Sequence, residues 1–451
     1  MGTWEFFASL FKSYYSTFVA LTAHSIFLIS CLSYAWPSPV LPKLLNATDS
    51  PLGNPITPDE SDLIGAIFYI GASIGPLCFI SVVNRFGRRR VLTFLSLIPP
   101  IAYGTLAFAK TVDLYIICRT LLGLYVGAVF SIQPVYLAEV LAEEERNFLM
   151  SFVTLFSFIG VFAAVTIGPF IPVTHFNGLI AILSAVVFVL VAFGFPESPY
   201  YVMQTEGKGK AKVLLRKLRQ GRIENEAGMI EDRILEESEK SCCQIFANKS
   251  NFKALILATI PLLLQSSSGV ALLINYSQLI FMETNISIPS HYCSIIVVGL
   301  TFSTAFLAPV LLKARRMSPV SLLMLCLAGV GLCDLIMGLY FLYGRGISFI
   351  SWLPLLNLIA FVLIYNCGLD PIPWMILGNT YPVNISAVGT AISISIFEFS
   401  IFPTMILFHK VDISFLFLIS SVWCVLGIVY CKFVVAPSED KIFKTSKNGA
   451  I

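Results

Sequence analysis

The run Pro196-Glu197-Ser198-Pro199-Tyr200-Tyr201 opens the one long hydrophilic interval of the chain, 196–253, and everything else divides into apolar blocks on either side of it. The interval carries Lys208, Lys210, Lys212, Arg216, Lys217, Arg219 and Arg222, then Glu231, Asp232, Glu236, Glu237 and Glu239. Leu214, Leu215 and Leu218, followed by Ile230 and Ile234, recur at helical spacing, which predicts short amphipathic helices rather than a floppy connection.

Crossing a hydrocarbon core of roughly 30 Å takes about 20 helical residues. Runs of that length lie near 18–36, 62–82, 91–109, 113–138, 149–170 and 178–195 before the interval, and near 254–281, 292–312, 320–343, 350–378, 386–408 and 413–435 after it. Six spans on each side place both termini on the side of the interval. The predicted division is 1–195, a linker over 196–253, 254–435, and a tail over 436–451.

Composition excludes the main alternatives. Of 451 residues, 57% are hydrophobic and 12% charged, too apolar for a water-soluble core to hide. A net charge of +3, without basic patches interleaved with aromatics, predicts no nucleic-acid partner. Of eleven cysteines, Cys31, Cys78, Cys118, Cys326, Cys333, Cys367, Cys424 and Cys431 sit inside apolar runs as small hydrophobes, and Cys242-Cys243 lies in the linker. Neither a disulfide framework nor metal-binding spacing is read, and without a Ser/His/Asp set or phosphate loop no enzyme, cofactor or metal is expected. The start lacks a charged n-region and has Phe6 where myristoylation needs Ser or Thr, so the first span is expected to act as its own insertion signal.

Short loops on the linker side carry Arg85, Arg88, Arg89, Arg90, Arg146, Lys313, Arg315 and Arg316; those opposite carry Lys43, Lys110, Arg345 and Lys410. The positive-inside bias predicts a cytosolic linker and cytosolic termini in a multi-pass plasma-membrane protein. Sequons at Asn46-Ala47-Thr48 and Asn285-Ile286-Ser287 fall on the outer face and are candidate glycosylation sites; Asn248-Lys249-Ser250 and Asn384-Ile385-Ser386, on the inner face, arise by chance.

After the second span stands Asn84-Arg85-Phe86-Gly87-Arg88-Arg89-Arg90, a basic turn centred on Gly87. Arg119, Gly123 and Gly127 follow in the fourth span, Pro134-Val135-Tyr136-Leu137-Ala138-Glu139 at its end, then Arg146, Pro196-Glu197-Ser198-Pro199, and Pro371-Ile372-Pro373-Trp374 in the tenth span. Together these resemble the sugar porter family of the major facilitator superfamily, over about Trp36 to Pro437. Trp36-Pro37-Ser38-Pro39-Val40-Leu41-Pro42 and Ile56-Thr57-Pro58-Asp59-Glu60 look most like its insect trehalose and glucose transporters. The resemblance implies an all-α membrane protein with twelve transmembrane helices in two six-helix bundles that rock around a midplane cavity. Its implied partners are a sugar and the bilayer, and it implies function as a monomer.

A sugar leaving water needs neutral donors and acceptors plus an aromatic wall. Gln265-Ser266-Ser267-Ser268-Gly269 occupies the place of the family's Gln-Gln-x-Ser-Gly motif, with Ser266 for the second amide; Ala271 replaces a usual Asn, and Thr154 a usual Gln. Candidate substrate contacts are therefore Gln265, Trp374, Ser266, Thr154, Asn366 and Asn275, with Tyr276, Pro371 and Pro373 as gate residues. The bland reading of the same groups is interhelical hydrogen bonding.

Asp334, Asp370 and Glu398 lie at membrane depth, where each costs about 2.5–3.5 kcal/mol on insertion scales. Asp370, which replaces the glycine before Pro371, is the candidate coupling acid; a neutral acid bonded between helices is the alternative. His24 reads as packing. The inner-face latch keeps Arg85, Gly87, Arg88, Glu139, Arg146 and Glu197, but Asn379 and Ser386 replace an acid and a base, and Lys313-Ala314-Arg315-Arg316 lacks the acid and glycine of the repeated loop. With few acids offered by the second bundle, the arginines are expected to pair within their own bundle, through Glu139, Glu197 and the Glu143-Glu145 run, and the inward-open state is expected to prevail. Facilitative transport of trehalose or a hexose such as glucose is the leading reading. A non-transporting sensor of the same fold and a carrier of a non-sugar solute are the alternatives.

Overall fold

The computed structural model describes residues 3–218, 223–238, 248–304, 317–381 and 385–439, with Ile442, and the side chains of these from Tyr15 onward except at 144, 147, 233, 235–238 and 302–304. Arg219, Arg222, Glu239, Cys242, Cys243, Lys313, Ala314, Arg315, Arg316, Pro382 and Asn384 lie outside the described residues. The described chain is helical. The first block is α1 (Thr3–Ala35), α2 (Pro37–Leu45), α3 (Pro58–Phe86), α4 (Arg88–Phe108), α5 (Val112–Val140), α6 (Glu143–Ile167) and α7 (Val173–Gly194). Short helices α8 (Pro199–Glu206), α9 (Lys208–Leu218) and α10 (Ile223–Ser238) follow. The second block is α11 (Lys249–Ser266), α12 (Val270–Met282), α13 (Ser290–Thr304), α14 (Pro319–Leu339), α15 (Leu353–Ile364), α16 (Pro371–Thr380), α17 (Ser386–Ile406) and α18 (Ile413–Tyr430).

Among the described residues, 11 helices are long and apolar enough to cross a membrane, and Ser290–Thr301 forms a shorter apolar one. These stand at the twelve places read from hydropathy; the eighth, predicted over 292–312, is described through Thr304. Below, the linker end is the end of the spans near α8–α10, and the distal end is the opposite one.

Several spans are not single straight helices, and local chemistry says why. Pro37, which has no N–H to give, interrupts the hydrogen-bond ladder of the first span between α1 and α2, while Trp36 keeps helical angles of φ −52° and ψ −38°. In the seventh span α11 stops at Ser266, and α12 resumes after Gly269, whose φ of +81° suits a residue without Cβ. The tenth span widens to a π turn over Tyr365–Leu369, closed by Asp370 N–H donating to the Tyr365 carbonyl at 2.9 Å. Pro371 offers no N–H to continue the regular ladder, so the extra residue is accommodated just before it.

The second span starts with a capping box: Thr57 Oγ1 accepts from Glu60 N–H at 3.2 Å, and the Glu60 carboxylate accepts from Thr57 N–H at 2.7 Å. It then packs on α5 with backbones in contact. A Cβ on Gly123 would stand 1.9 Å from the Phe68 carbonyl oxygen, and one on Gly127 1.9 Å from that of Ala72. Small residues four apart permit this approach where lipid supplies no hydrophobic drive. Arg119, fully buried on α5, donates to the carbonyls of Ser33 (2.8 Å) and Ile64 (3.4 Å) and lies between the Trp36 and Phe68 rings, tying spans 1, 2 and 4.

The linker helices bury Val202, Met203, Ala211, Leu215, Ala227 and Ile230 against one another, the amphipathic arrangement that the spacing predicts. Lys208 pairs with Glu231, and Lys212 with Glu224, on their outer faces.

Candidate functional site

The two blocks meet at the distal end through side chains separated by hundreds of residues. Tyr34 of α1 donates to the Glu398 carboxylate of α17, and Asn275 Nδ2 of α12 donates to Tyr69 Oη of α3 at 2.6 Å. Ser38 and Ser277 share a hydrogen bond of 2.9 Å. The Asp62 carboxylate accepts from the His409 backbone N–H at 3.1 Å and contacts its ring Nδ1 at 2.5 Å, and Lys410 reaches Asp59 at 3.5 Å. Tyr276, kinked out of helical geometry at φ −123° and ψ 15°, stacks on Phe408 with centroids 4.0 Å apart. Its hydroxyl sits where a Cβ on Gly65 of the other block would come within 2.6 Å.

The linker end is different. Among the described residues every ion pair there stays within one block or within the linker helices. Arg88 Nε lies 3.0 Å from Glu139, whose other role is to accept from Ser198 Oγ. Glu197 Oε1 accepts the backbone N–H groups of Arg88 (3.0 Å), Arg89 (3.1 Å) and Ser198 (2.9 Å). Gly87, at φ +90°, leaves space for that carboxylate: a Cβ would stand 2.5 Å from Glu197 Oε2. Gly87, Arg88, Glu139 and Glu197 thus meet, while Arg85 and Arg146 stand apart from them. The Arg85 guanidinium lies 5.5 Å over the Phe86 ring, and Arg146 Nη2 donates to the Leu141 carbonyl at 3.4 Å. Asn379 is exposed and Ser386 half-buried.

Between the two ends lie the polar candidates of the midplane. Gln265 Nε2 donates to Tyr365 Oη (2.9 Å) and to Asp370 Oδ1 (3.2 Å), joining spans 7 and 10, while its Oε1 has no partner. Ser266 shares a 2.6 Å hydrogen bond with Ser400, which is interhelical bonding, and also donates to the Leu263 carbonyl of its own helix at 2.9 Å. Asn366 Nδ2 donates to the Thr301 carbonyl at 3.4 Å. Trp374 is half-buried and meets Phe397 edge-on at 5.6 Å, and Thr154 is exposed. Pro371 and Pro373 fix the π turn and the start of α16. Phe27, Phe130 and Tyr34 stack in a row, with centroids 4.5 and 5.7 Å apart, on the first block.

Buried acceptors without partners are a shared feature: Gln265 Oε1, Asn275 Oδ1 and Glu398 Oε2. Tyr34, Tyr69 and Tyr365 complete these contacts and were not among the candidates from sequence. Their only advance signal was an aromatic beside a costly acid or amide, with no way to pair residues 364 positions apart. His24 does more than fill space: its Nε2 lies 2.9 Å from the Leu149 carbonyl and its Nδ1 3.4 Å from Gln133. Asn46 is exposed; the Asn285 amide, also exposed, donates to the Arg345 carbonyl. No group of three His, Cys, Asp or Glu among the described residues is placed to hold a metal.

A sequence model of the family described as "Sugar (and other) transporter" matches residues 45–444. The facilitated trehalose transporter Tret1 of Polypedilum vanderplanki is 27% identical over 371 residues, 80% of this chain and 72% of that protein. The facilitated trehalose transporter Tret1-2 homolog of Drosophila simulans is 25% identical over 416 residues, 89% of this chain and 84% of that protein. Among solved structures, a partially occluded inward-open form of the xylose transporter XylE from E. coli superposes with a TM-score of 0.75 at 18% identity, covering 93% of this chain and 98% of that one.

Proposed function

The chain belongs to the family of sugar (and other) transporters, and from that premise we propose that it is a facilitative sugar carrier working by alternating access. The substrate class proposed is trehalose or a hexose such as glucose, in keeping with the relatives named above. The proposed location is the plasma membrane, with the linker end and both termini in the cytosol and the carrier acting as a monomer.

The observation that carries the reading is the asymmetry of the seam. At the distal end Tyr34–Glu398, Asn275–Tyr69, Ser38–Ser277 and Asp62–His409 join the blocks. The linker-end charges Arg88, Glu139 and Glu197 bond within the first block and the start of the linker. A carrier closed to the outside and opening to the cytosol needs that arrangement, because contacts across the seam must exist in one state and break in the other.

Gln265 and Trp374 are the proposed principal substrate contacts, with Ser266, Thr154, Asn366 and Asn275 around them. The free Oε1 of Gln265 accepts from a sugar hydroxyl, and Trp374 supplies an apolar wall. Asp370, bonded to Gln265, is the acid placed to carry a proton if uptake is proton-linked.

The test is uptake of labelled trehalose, glucose and a polyol into liposomes carrying the purified protein, with and without a pH gradient. Saturable sugar uptake is expected, reduced more by Gln265→Ala than by Asn275→Ala. Failure of the native protein to move any sugar would overturn the reading, and equal, unimpaired transport by both variants would overturn the site.

A further inference from the structure

Span 7 is interrupted at membrane depth, and the interruption leaves main-chain groups without partners. Ser267 N–H returns to the Leu263 carbonyl at 3.0 Å and Ser268 N–H to that of Gln265 at 3.3 Å, which closes α11. The ladder of α12 resumes with Leu273 N–H donating to the Gly269 carbonyl at 3.2 Å. Among the described residues, no backbone N–H therefore reaches the carbonyls of Ser267 and Ser268. Bare carbonyls are costly in a bilayer unless something meets them.

Against this break stands Asp334, from α14 in span 9. It is 1% exposed, and neither of its carboxyl oxygens has a hydrogen-bond partner. Oδ1 and Oδ2 lie 2.9 and 3.6 Å from the position that a Cβ on Gly269 would take, so the carboxyl is pressed against the glycine at the start of α12. The simplest account, that Asp334 caps α12, fails on geometry, since the carboxyl accepts from none of the amides there. A neutral acid bonded to a Ser or Thr fails for the same reason.

We propose that the break between α11 and α12, together with the Asp334 carboxylate, is a binding site for a sodium ion. A single carboxylate balances one positive charge, whereas calcium sites gather several acidic ligands. The donors are hard oxygens, and no His or Cys set of the kind transition metals prefer is present among the described residues. Unwound carbonyls at the end of a half-helix are the groups by which broken membrane helices hold small cations. The site is crowded, with Asp334 Oδ1 only 2.9 Å from the place a Cβ on Gly269 would take, and crowding favours sodium over larger alkali ions. Gln265 lies on one side of the break and the Asn275-Tyr276 pair on the other, so the ion fixes the angle between the proposed sugar contact and the distal gate.

The experiment uses the full-length protein in nanodiscs, without sugar, so its outcome is independent of the transport reading. Equilibrium binding of radioactive sodium is measured beside thermal unfolding in sodium chloride and in choline chloride of equal ionic strength. One saturable ion per chain is expected. Sodium at ten times its dissociation constant should favour the folded state about elevenfold, with a matching rise in Tm absent in choline. Asp334→Asn should abolish both effects while keeping the fold, since its amide needs no counter-ion. Sodium binding unchanged in Asp334→Asn, or no saturable binding by the native chain, overturns the proposal. Should Asp334→Asn fail to fold, the native chain decides: equal stabilisation by sodium and choline, or stabilisation by acid alone, overturns it.

Discussion

Gly65→Ala tests whether the distal contacts are a gate. The added Cβ would meet Tyr276 Oη at 2.6 Å and Cζ at 3.4 Å. Tyr276 cannot easily yield, because it is fully buried, its ring is stacked on Phe408 at 4.0 Å, and its hydroxyl donates to the Met405 carbonyl at 3.3 Å. Overpacking of this kind costs about 1–3 kcal/mol. Gly65 and Tyr276 belong to different blocks, so the cost falls on the sealed state and is relieved when the seam opens. A difference of about 1–3 kcal/mol corresponds to roughly 5–150-fold in the ratio of open to sealed molecules. The reporter is Ser38→Cys, at a position 1% exposed in the sealed seam, in a background without other reactive cysteines. Labelling by a membrane-impermeant thiol reagent from the distal side should accelerate by that factor. Equal labelling rates with and without the Gly65→Ala substitution would refute the gate.

Asn379→Glu with Ser386→Arg restores the missing acid and base on the second block; it should raise labelling of the same reporter, and an unchanged rate would count against the latch argument. Asp412 accepts from Ser414 N–H (2.8 Å) and Oγ (2.5 Å) at the start of α18, and these bonds hold its carboxyl below the usual carboxylate range. A lowered folded value gives stability that is full above the unfolded value of about 3.9 and is lost as pH falls from there through the lower folded value. Asp412→Ala should therefore cost about 0.5–2 kcal/mol near neutral pH, read as a lower Tm, and nothing in strong acid; a gap that persists there would sink the assignment. Asn46→Gln should abolish a glycosidase-sensitive gel shift, while modification at Asn285 should be weaker because its amide already donates to Arg345; labelling of Asn46 from the cytosolic side would reverse the topology.

What could be read from the sequence was whatever repeats locally. Apolar runs and the leucine spacing of the linker depend on residues a few positions apart, and the spans and the short helices α8–α10 follow from them. The break at 267–269 was not legible, because Ser and Gly are tolerated inside membrane helices; the left-handed turn becomes visible only with Asp334, from another span, lying against it. Asp334 and Glu398 stood out as costly acids, but the sequence could not say that Glu398 would meet Tyr34 and Asp334 no hydrogen-bond donor. Ser266 shows the same limit: its polarity was plain, and its partner Ser400 was not.

The direction in which the seam rests follows from where its polar groups find partners. Arg88 pairs with Glu139 and Glu197 accepts the Arg88 backbone N–H, all within the first block and the start of the linker, so closing the linker end would add to them chiefly at Arg88 Nη1, which is buried without a partner. Closing the distal end, by contrast, gives Glu398, Tyr69 and Asp62 partners from the opposite block. These groups are buried, and an unmet buried polar group costs more than a met one gains. The distal contacts therefore weigh more per bond than any new pair that exposed linker-end groups would add on closure, which is worth about 0–1 kcal/mol. The replacement of an acid by Asn379 and of a base by Ser386 acts in the same direction, removing partners from the one face where closure would compete.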